Sequence, residues 1–444
     1  MADERLALRA GWVFDARGGE GIADGVVSVE DGRITAVRPA TEVPEAELAA
    51  AQHFPDATLL PGLVDAHAHI SLAGDGRTYE QMFLDPDELM TLIGLHTMRV
   101  HLKSGVTTLR DNGARNRVTF MVREAILRGY VQGPRLLLSG RPITHSGGHF
   151  HFCNEVADSA EEVRRSVRRL VAEGADHIKI MASGGATAGN LPFRASYSVE
   201  ELRAGVETAH HLGRLTTAHC RARDSMERAL EAGLDCMEHA EFLVPPEEVT
   251  LGSGVTPTGV MRYDERLAER MLKGGLFVSF TFQAGGYDTL VELRQKRAEG
   301  GLTPVEQAQC DRLEAYYDMK LDVFRQLLRD GMLPRLVISS DAGPFDCAFG
   351  RMHYGLQLAV EGGMTPLQAI EAATRVPAVS CRVDHLVGTL EAGKEADLLV
   401  VEGDPLQNIR HMAHVAAVYT GGRNIGSLSP DTLLPGVVRG AVPD

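Results

Sequence analysis

Between residues 59 and 341 the chain alternates short apolar runs with longer amphipathic stretches, and this alternation limits the fold more than any other feature of the sequence. Eight candidate strands can be marked, at 59–66, 106–111, 135–140, 176–181, 214–220, 235–240, 276–282 and 335–341. Helix-length segments such as SAEEVRRSVRRLVAEGA (159–175) and SVEELRAGVETAHHLGR (198–214) separate many of them. Both open with a serine followed three residues on by a glutamate, Ser159 with Glu162 and Ser198 with Glu201, the pairing that caps a helix start from both directions. Strand, helix and strand in repetition imply a parallel sheet, since parallel neighbours need a crossover between them. Eight such strands predict an α/β fold closed as a (β/α)8, TIM-like barrel. An open doubly wound sheet is the alternative, but SGGATAGN (183–190) does not reproduce the GxGxxG spacing that a dinucleotide site needs before a helix.

The flanking regions have a different texture. GVVSVEDGRITAVRP (25–39) reads as two strands joined by Asp31-Gly32, a two-residue hairpin turn. GTLEAGKEADLLVVEGDP (388–405) and HVAAVYTGGRNI (414–425) have the same short β pattern. The expected organisation is a small β-sandwich domain built from both chain ends, 1–58 and 388–444, around a barrel at 59–387.

Composition narrows the partners. With 45 Lys and Arg against 60 Asp and Glu, the formal charge is -15, so nucleic acid and anionic membrane surfaces are excluded as expected partners. Mean hydropathy is -0.09 and no run of about 20 apolar residues occurs. The opening MADERLALRAGWVFDARGG lacks the basic and apolar pattern of a signal peptide, so a cytoplasmic protein is expected. Six cysteines, at 153, 220, 236, 310, 347 and 381, show no CxxC spacing and read as small buried hydrophobes, with Cys220 and Cys236 nearest the residues discussed next.

In a barrel of this kind chemistry sits at the carboxyl ends of the strands. There the sequence places His67 and His69, Lys179, His219, His239 and Asp341. Residues i and i+2 of a strand face the same side, so His67 and His69 can grip one ion. Imidazole and carboxylate suit Zn2+, with Mn2+, Co2+ or Fe2+ following from the same ligand logic. Any one of these histidines alone reads as an ordinary core or surface residue; together, at the ends of five strands, they predict a metal site, because buried ionisable groups are otherwise costly. Lys179 has three readings: a salt-bridged lysine, a Schiff-base lysine, or a desolvated neutral amine that adds CO2 and bridges two metals as a carbamate. The last is preferred because His219 and His239 call for a second metal.

PGLVDAHAHI, HIKIMASGG, AHC, EHA, ISSDAG and the late GTLEAGKEADLLVV, in this order, resemble the amidohydrolase superfamily over nearly the whole chain. THSGGHFHF followed by HIKIMASGG is similar to its metal-dependent carboxypeptidase-like dipeptidases, often called prolidases, a subgroup that also contains ochratoxin-type amidases. The resemblance implies two divalent metal ions, Zn2+ first among them. His67, His69, Lys179 and Asp341 would hold one, and carboxylated Lys179 with His219 and His239 the other. It implies a binuclear hydrolase that cleaves a small amide by attack of a metal-bridging hydroxide, with Asp341 moving the proton and His149 contacting the substrate carbonyl. His145 and His151 are candidate pocket residues. A homo-oligomer is also implied.

One position departs from the pattern. Where the better-known dipeptidases commonly carry a tyrosine two residues after the histidine of the fifth strand, this chain has Arg221. Arg221 or Arg223 could bind a carboxylate through its guanidinium fork, or form a surface salt bridge. The segment 241–263 is a candidate lid or an ordinary loop, and 283–320 has helical spacing that makes Tyr316 and Tyr317 packing residues. The leading expectation is hydrolysis of an N-acyl amino acid, dipeptide or related amide. A cyclic amide, carbamate, urea or ester is the alternative, ahead of deamination or a non-catalytic assembly role.

Overall fold

A computed structural model describes residues 5–19, 21–246 and 259–427. The chain opens with β1 (Arg5–Val13), β2 (Ile22–Glu30), β3 (Arg33–Pro39) and β4 (Gln52–Pro61). It continues through β5 (Leu63–Ala68), β6 (Val106–Asp111), β7 (Arg135–Leu138), β8 (His177–Met181), β9 (Leu215–Ala222) and β10 (Cys236–Val244). Next come β11 (Val260–Met261), β12 (Phe277–Thr281) and β13 (Leu336–Ser339), and it closes with β14 (Leu398–Glu402), β15 (Val415–Thr420) and β16 (Arg423–Asn424).

The two chain ends share one sheet of seven strands, in the order β16-β15-β14-β4-β1-β2-β3. The expected hairpin at its edge is present: Asp31 and Gly32 both take positive φ, 49° and 78°, as a two-residue turn between right-twisted strands requires. These strands form a single sheet among the described residues, where a two-sheet sandwich was expected. Its inner face buries Leu8, Val27, Leu59, Leu398, Val400 and Tyr419 as a core of its own.

The central strands are parallel and form two sheets, β5-β6-β7 and β13-β12-β10-β9-β8. Isolated parallel bridges join their edges, Ala68 with Ala342 and Ile143 with Ile180. Helices such as Ala160–Ala172 and Val199–His211 follow the strands, and each buries one apolar stripe. Ser198 and Glu201 make the full reciprocal cap. At the other helix Ser159 accepts the Glu162 N–H, whereas the Glu162 carboxylate reaches one residue further back to accept the Asp158 N–H.

At the first and last of these strands, Asp65 acts as a hub. Its Oδ1 accepts the backbone N–H of His67 and of Ser340, each at 3.1 Å. Its Oδ2 accepts from the Ser340 hydroxyl at 2.5 Å and contacts His101 Nε2 at 2.9 Å. Nearby, the Asp341 N–H donates to His67 O at 2.7 Å.

The expected strand 59–66 is two strands, because the chain leaves the terminal sheet at Pro61 and enters the central one at Leu63. Gly62 makes the change of direction, donating its N–H to Asp397 O at 2.9 Å. A Cβ at Gly62 would lie 2.1 Å from Thr107 Oγ1, so only glycine fits there. The substitution Gly62→Ala is expected to lower stability by about 1–3 kcal/mol through overpacking, read as a fall in thermal midpoint.

Candidate active site

The carboxyl ends of β5, β8, β9, β10 and β13 converge, and the six residues singled out in the sequence meet there. Asp341 Oδ1 lies 3.3 Å from His67 Nε2 and 3.6 Å from His69 Nε2, and one ligand atom from each of these three residues falls within 4.8 Å of the others. His67 is thereby on the same side as His69, as alternation along a strand requires. His239 follows, its ring centroid 5.0 Å from that of His67 and 4.6 Å from that of His219. His219 Nδ1 and His239 Nε2 are 2.9 Å apart.

Each of these rings is held from behind. His67 Nδ1 is 2.7 Å from Glu238 Oε2, His69 Nδ1 2.9 Å from Gly113 O, and His219 Nε2 3.2 Å from Gly184 O. These partners only accept, so each takes the ring N–H and leaves the other nitrogen bare toward the centre. His239 Nδ1 is 2.7 Å from the Thr281 hydroxyl. Glu238 is itself clamped, by Arg110 at 2.9 Å and by the Thr217 hydroxyl.

The electrostatics follow from burial. Burial first, and the crowding of neighbouring imidazoles and Lys179 second, hold His69, His219 and His239 well below the usual imidazole range, so they stay neutral as ligands must. Burial lowers the pKa of Lys179, against the pull of Glu238 and Asp341. Burial raises that of Asp341, against the pull of His67 and Lys179. At Glu238 burial is outweighed by His67 and Arg110, which keep it ionised.

Two observations test whether this set fits a metal. His67 Nε2 and Lys179 Nζ are fully buried without a hydrogen-bond partner, which proteins avoid unless something else satisfies the atoms. The donor set of neutral imidazoles, a carboxylate and an amine able to carry a carbamate is the chemistry of a divalent cation centre. The residues present fit the group. Two of them, His239 and Asp341, also sit at φ of 71° and 57°, left-handed positions costing roughly 1–3 kcal/mol each that cluster at functional sites.

The centre opens into a cavity of about 1690 Å³ lined by Tyr79, His149, Arg221, Glu241, Tyr316 and Phe345 among others. His149 packs 4.5 Å from His219 between ring centroids, and burial keeps it neutral too. His145 and His151 do not line this cavity: His145 leans toward Tyr197, and His151 stacks on Phe152 with Nδ1 against Gly148 O. Arg221 is no surface pair, because its guanidinium meets the buried Glu241 carboxylate at 2.6 Å. Arg223 is the surface residue, 4.0 Å from Asp264. Tyr317 packs as expected, but Tyr316 belongs to the cavity wall, its hydroxyl donating to Glu241 at 2.9 Å and lying 3.4 Å from Arg221. Cys220 and Cys236 are buried thiols pushed up to about 12 and about 11, and all six cysteines are free. Of the candidate lid, residues 241–244 belong to β10 and 260–261 to β11, whereas 247–258 lie outside the described residues.

The sequence profile of the amidohydrolase family matches residues 58–425. The chain belongs to the amidohydrolase family. It is accordingly a hydrolase acting on amide carbon–nitrogen bonds. Among curated relatives, ochratoxinase of Aspergillus niger is 28% identical over 432 residues, covering 90% of this chain and 82% of that protein. Among solved structures, a Xaa-Pro dipeptidase with bound methionine superposes with a TM-score of 0.78 at 24% identity, covering 96% of this chain and 100% of that one. The A. niger ochratoxinase structure gives 0.75 at 26% identity, with 96% of each chain covered. These neighbours share the α/β architecture of parallel strands and helices.

For this amidohydrolase, Glu238 is among the residues that the sequence reading missed. Replacing it by Gln puts an amide N–H against either His67 Nδ1–H or Arg110, both donors. Glu238→Gln is expected to weaken divalent-metal affinity by about 10–100-fold, measured by chelator competition.

Proposed function

We propose that this chain is a binuclear, metal-dependent hydrolase of a small amide: an N-acyl amino acid, a dipeptide or a related compound. The observation that carries the proposal is the convergence of four imidazoles, Asp341 and an unpartnered Lys179 amine at a centre whose His219, His239 and Asp341 line one cavity. The two parallel sheets and their bridged edges are taken as one (β/α)8 barrel, whose carboxyl end is the place for such a centre.

In this reading His67, His69, Lys179 and Asp341 would hold one divalent ion, and Lys179, His219 and His239 the other, Zn2+ being the first candidate. The desolvated Lys179 amine would take up CO2 as a carbamate, its proton passing to solvent, and would then offer carboxylate oxygens to both ions. When bound, the cations supply an acidified water and Lewis-acid polarisation of the scissile carbonyl. Asp341, beside His67 and His69 at the cavity, would take a proton from the attacking water and return it to the departing amine. His149, in the cavity wall beside His219, would contact the carbonyl oxygen. Arg221, with Tyr316 beside it, stands where a substrate carboxylate would be received.

A specific feature favours a second reading. Glu241 already pairs with Arg221, so the charge presented to the cavity is partly spent inside the protein. A cyclic amide, carbamate, urea or ester without a carboxylate fits that arrangement.

The deciding experiment is product release, followed by mass spectrometry, from a panel of N-acyl amino acids, dipeptides, cyclic amides, carbamates and esters, with enzyme loaded with Zn2+ in bicarbonate. Cleavage confined to linear amides with a free carboxylate supports the first reading; cleavage only of compounds lacking it supports the second. No cleavage of any member overturns both.

Two variants test the assigned roles. Asp341→Asn is expected to keep metal yet lose about 100-fold or more in kcat, and near wild-type kcat in a metal-replete variant contradicts its role as proton carrier. Lys179→Ala is expected to be metal-deficient by elemental analysis, and partly rescued by a short-chain carboxylate. Full metal occupancy and full activity without rescue exclude the bridge.

A further inference from the structure

The loop 183–190 that follows β8, SGGATAGN, lies against the back of His149 and is not explained by the ligand set. Thr187 Oγ1 is 2.7 Å from His149 Nδ1 and 3.3 Å from the backbone nitrogen of Phe150. Thr187 is 1% exposed, so each hydrogen at this point needs a protein partner. The Phe150 N–H can only donate, and the threonine oxygen accepts it. The hydroxyl hydrogen then has one acceptor among the described contacts, the Nδ1 lone pair of His149. The opposite arrangement, Nδ1–H donating to the hydroxyl, buries the hydroxyl hydrogen with nothing to receive it.

We propose that Thr187 is a positioning residue that fixes His149 in the tautomer carrying its hydrogen on Nε2, so that this ring donates to the substrate carbonyl oxygen as negative charge develops there. The inference rests on the hydrolase reading above and adds to it the group that sets the direction of that hydrogen bond. His67, His69 and His219 show the contrast. Their partners are a carboxylate or a carbonyl, which can only accept and which leave the inward nitrogen bare for a cation. A hydroxyl alone does not decide this, since Thr281 also meets Nδ1 of the ligand His239; Thr187 differs in that its oxygen already accepts the Phe150 N–H, which directs its own hydrogen to His149 and prepares that ring as a donor.

The same loop sets the position of the ring. A Cβ at Gly185 would stand 2.5 Å from both Cδ2 and Nε2 of His149, so the imidazole lies on bare backbone and any side chain there displaces it. Asn190 holds the two loops together, its Nδ2 donating to Gly147 O at 3.2 Å.

The test compares wild-type enzyme with Thr187→Val and Thr187→Ser, all metal-loaded, with 15N-labelled histidine and His149→Asn to assign the His149 signals. The expected wild-type spectrum shows His149 unprotonated at Nδ1 and protonated at Nε2. Thr187→Val is expected to lose that pattern and about tenfold or more in kcat, with KM changed less than about threefold, and Thr187→Ser to restore both. A wild-type spectrum with hydrogen on Nδ1, or a valine variant with full kcat, overturns the proposal. The spectrum is read without turnover, so it decides the tautomer even if the substrate panel defeats the hydrolase reading.

Discussion

The carboxylate of Asp65 is the tie on which the site depends. With Oδ1 it fixes the backbone of His67 on the first central strand and of Ser340 just beyond the last, while Oδ2 reaches the Ser340 hydroxyl and His101. The strands themselves are joined here by one isolated bridge, so without Asp65 the two edges would share few hydrogen bonds. His67 and Asp341 are separated by most of the chain, yet each is within two residues of an atom held by Asp65. Their 3.3 Å approach is set by backbone geometry, before any ion contributes.

Around that tie the interior is unusually ionic. Glu238 with Arg110 and Glu241 with Arg221 are pairs buried inside the central sheets or at their ends. Such pairs gain little net stability, because desolvation offsets much of their attraction, whereas removing one partner leaves a charge uncompensated. Their effect here is directional. Glu238 fixes the His67 tautomer, and Glu241 fixes the plane of a guanidinium in the cavity wall. The left-handed backbone at His239 and Asp341 belongs with the same logic: conformations that cost free energy locally are kept where they aim a side chain inward.

Much of this was legible in the sequence because it depends on local periodicity. All eight central strands were marked by apolar runs between amphipathic helices, and His67, His69, Lys179, His219, His239 and Asp341 by their places at the ends of those runs. Glu238 was not, although it stands beside His239, because its partner His67 is 171 residues away and nothing in EHA announces a hydrogen bond at that separation. Tyr316 was read as packing from helical spacing alone. The spacing is correct, but the face it shares is directed at Glu241 and Arg221 rather than at a neighbouring helix. His145 and His151 were drawn in by closeness in sequence to His149. The loop there turns through a left-handed Phe150, with φ of 60°, and the three side chains go to different places.

The sequence by itself determined the class of fold, the β character of both chain ends and the residue types gathered at the strand ends, since these follow from hydrophobic period, turn chemistry and alternation along a strand. Only the tertiary structure decided which nitrogen of each histidine faces the centre, that Arg221 meets a buried carboxylate, that the terminal strands make one sheet, and that Gly62 is pressed against Thr107. Those outcomes depend on hydrogen bonds and contacts between residues far apart in the chain, where the sequence offers no spacing from which to read them.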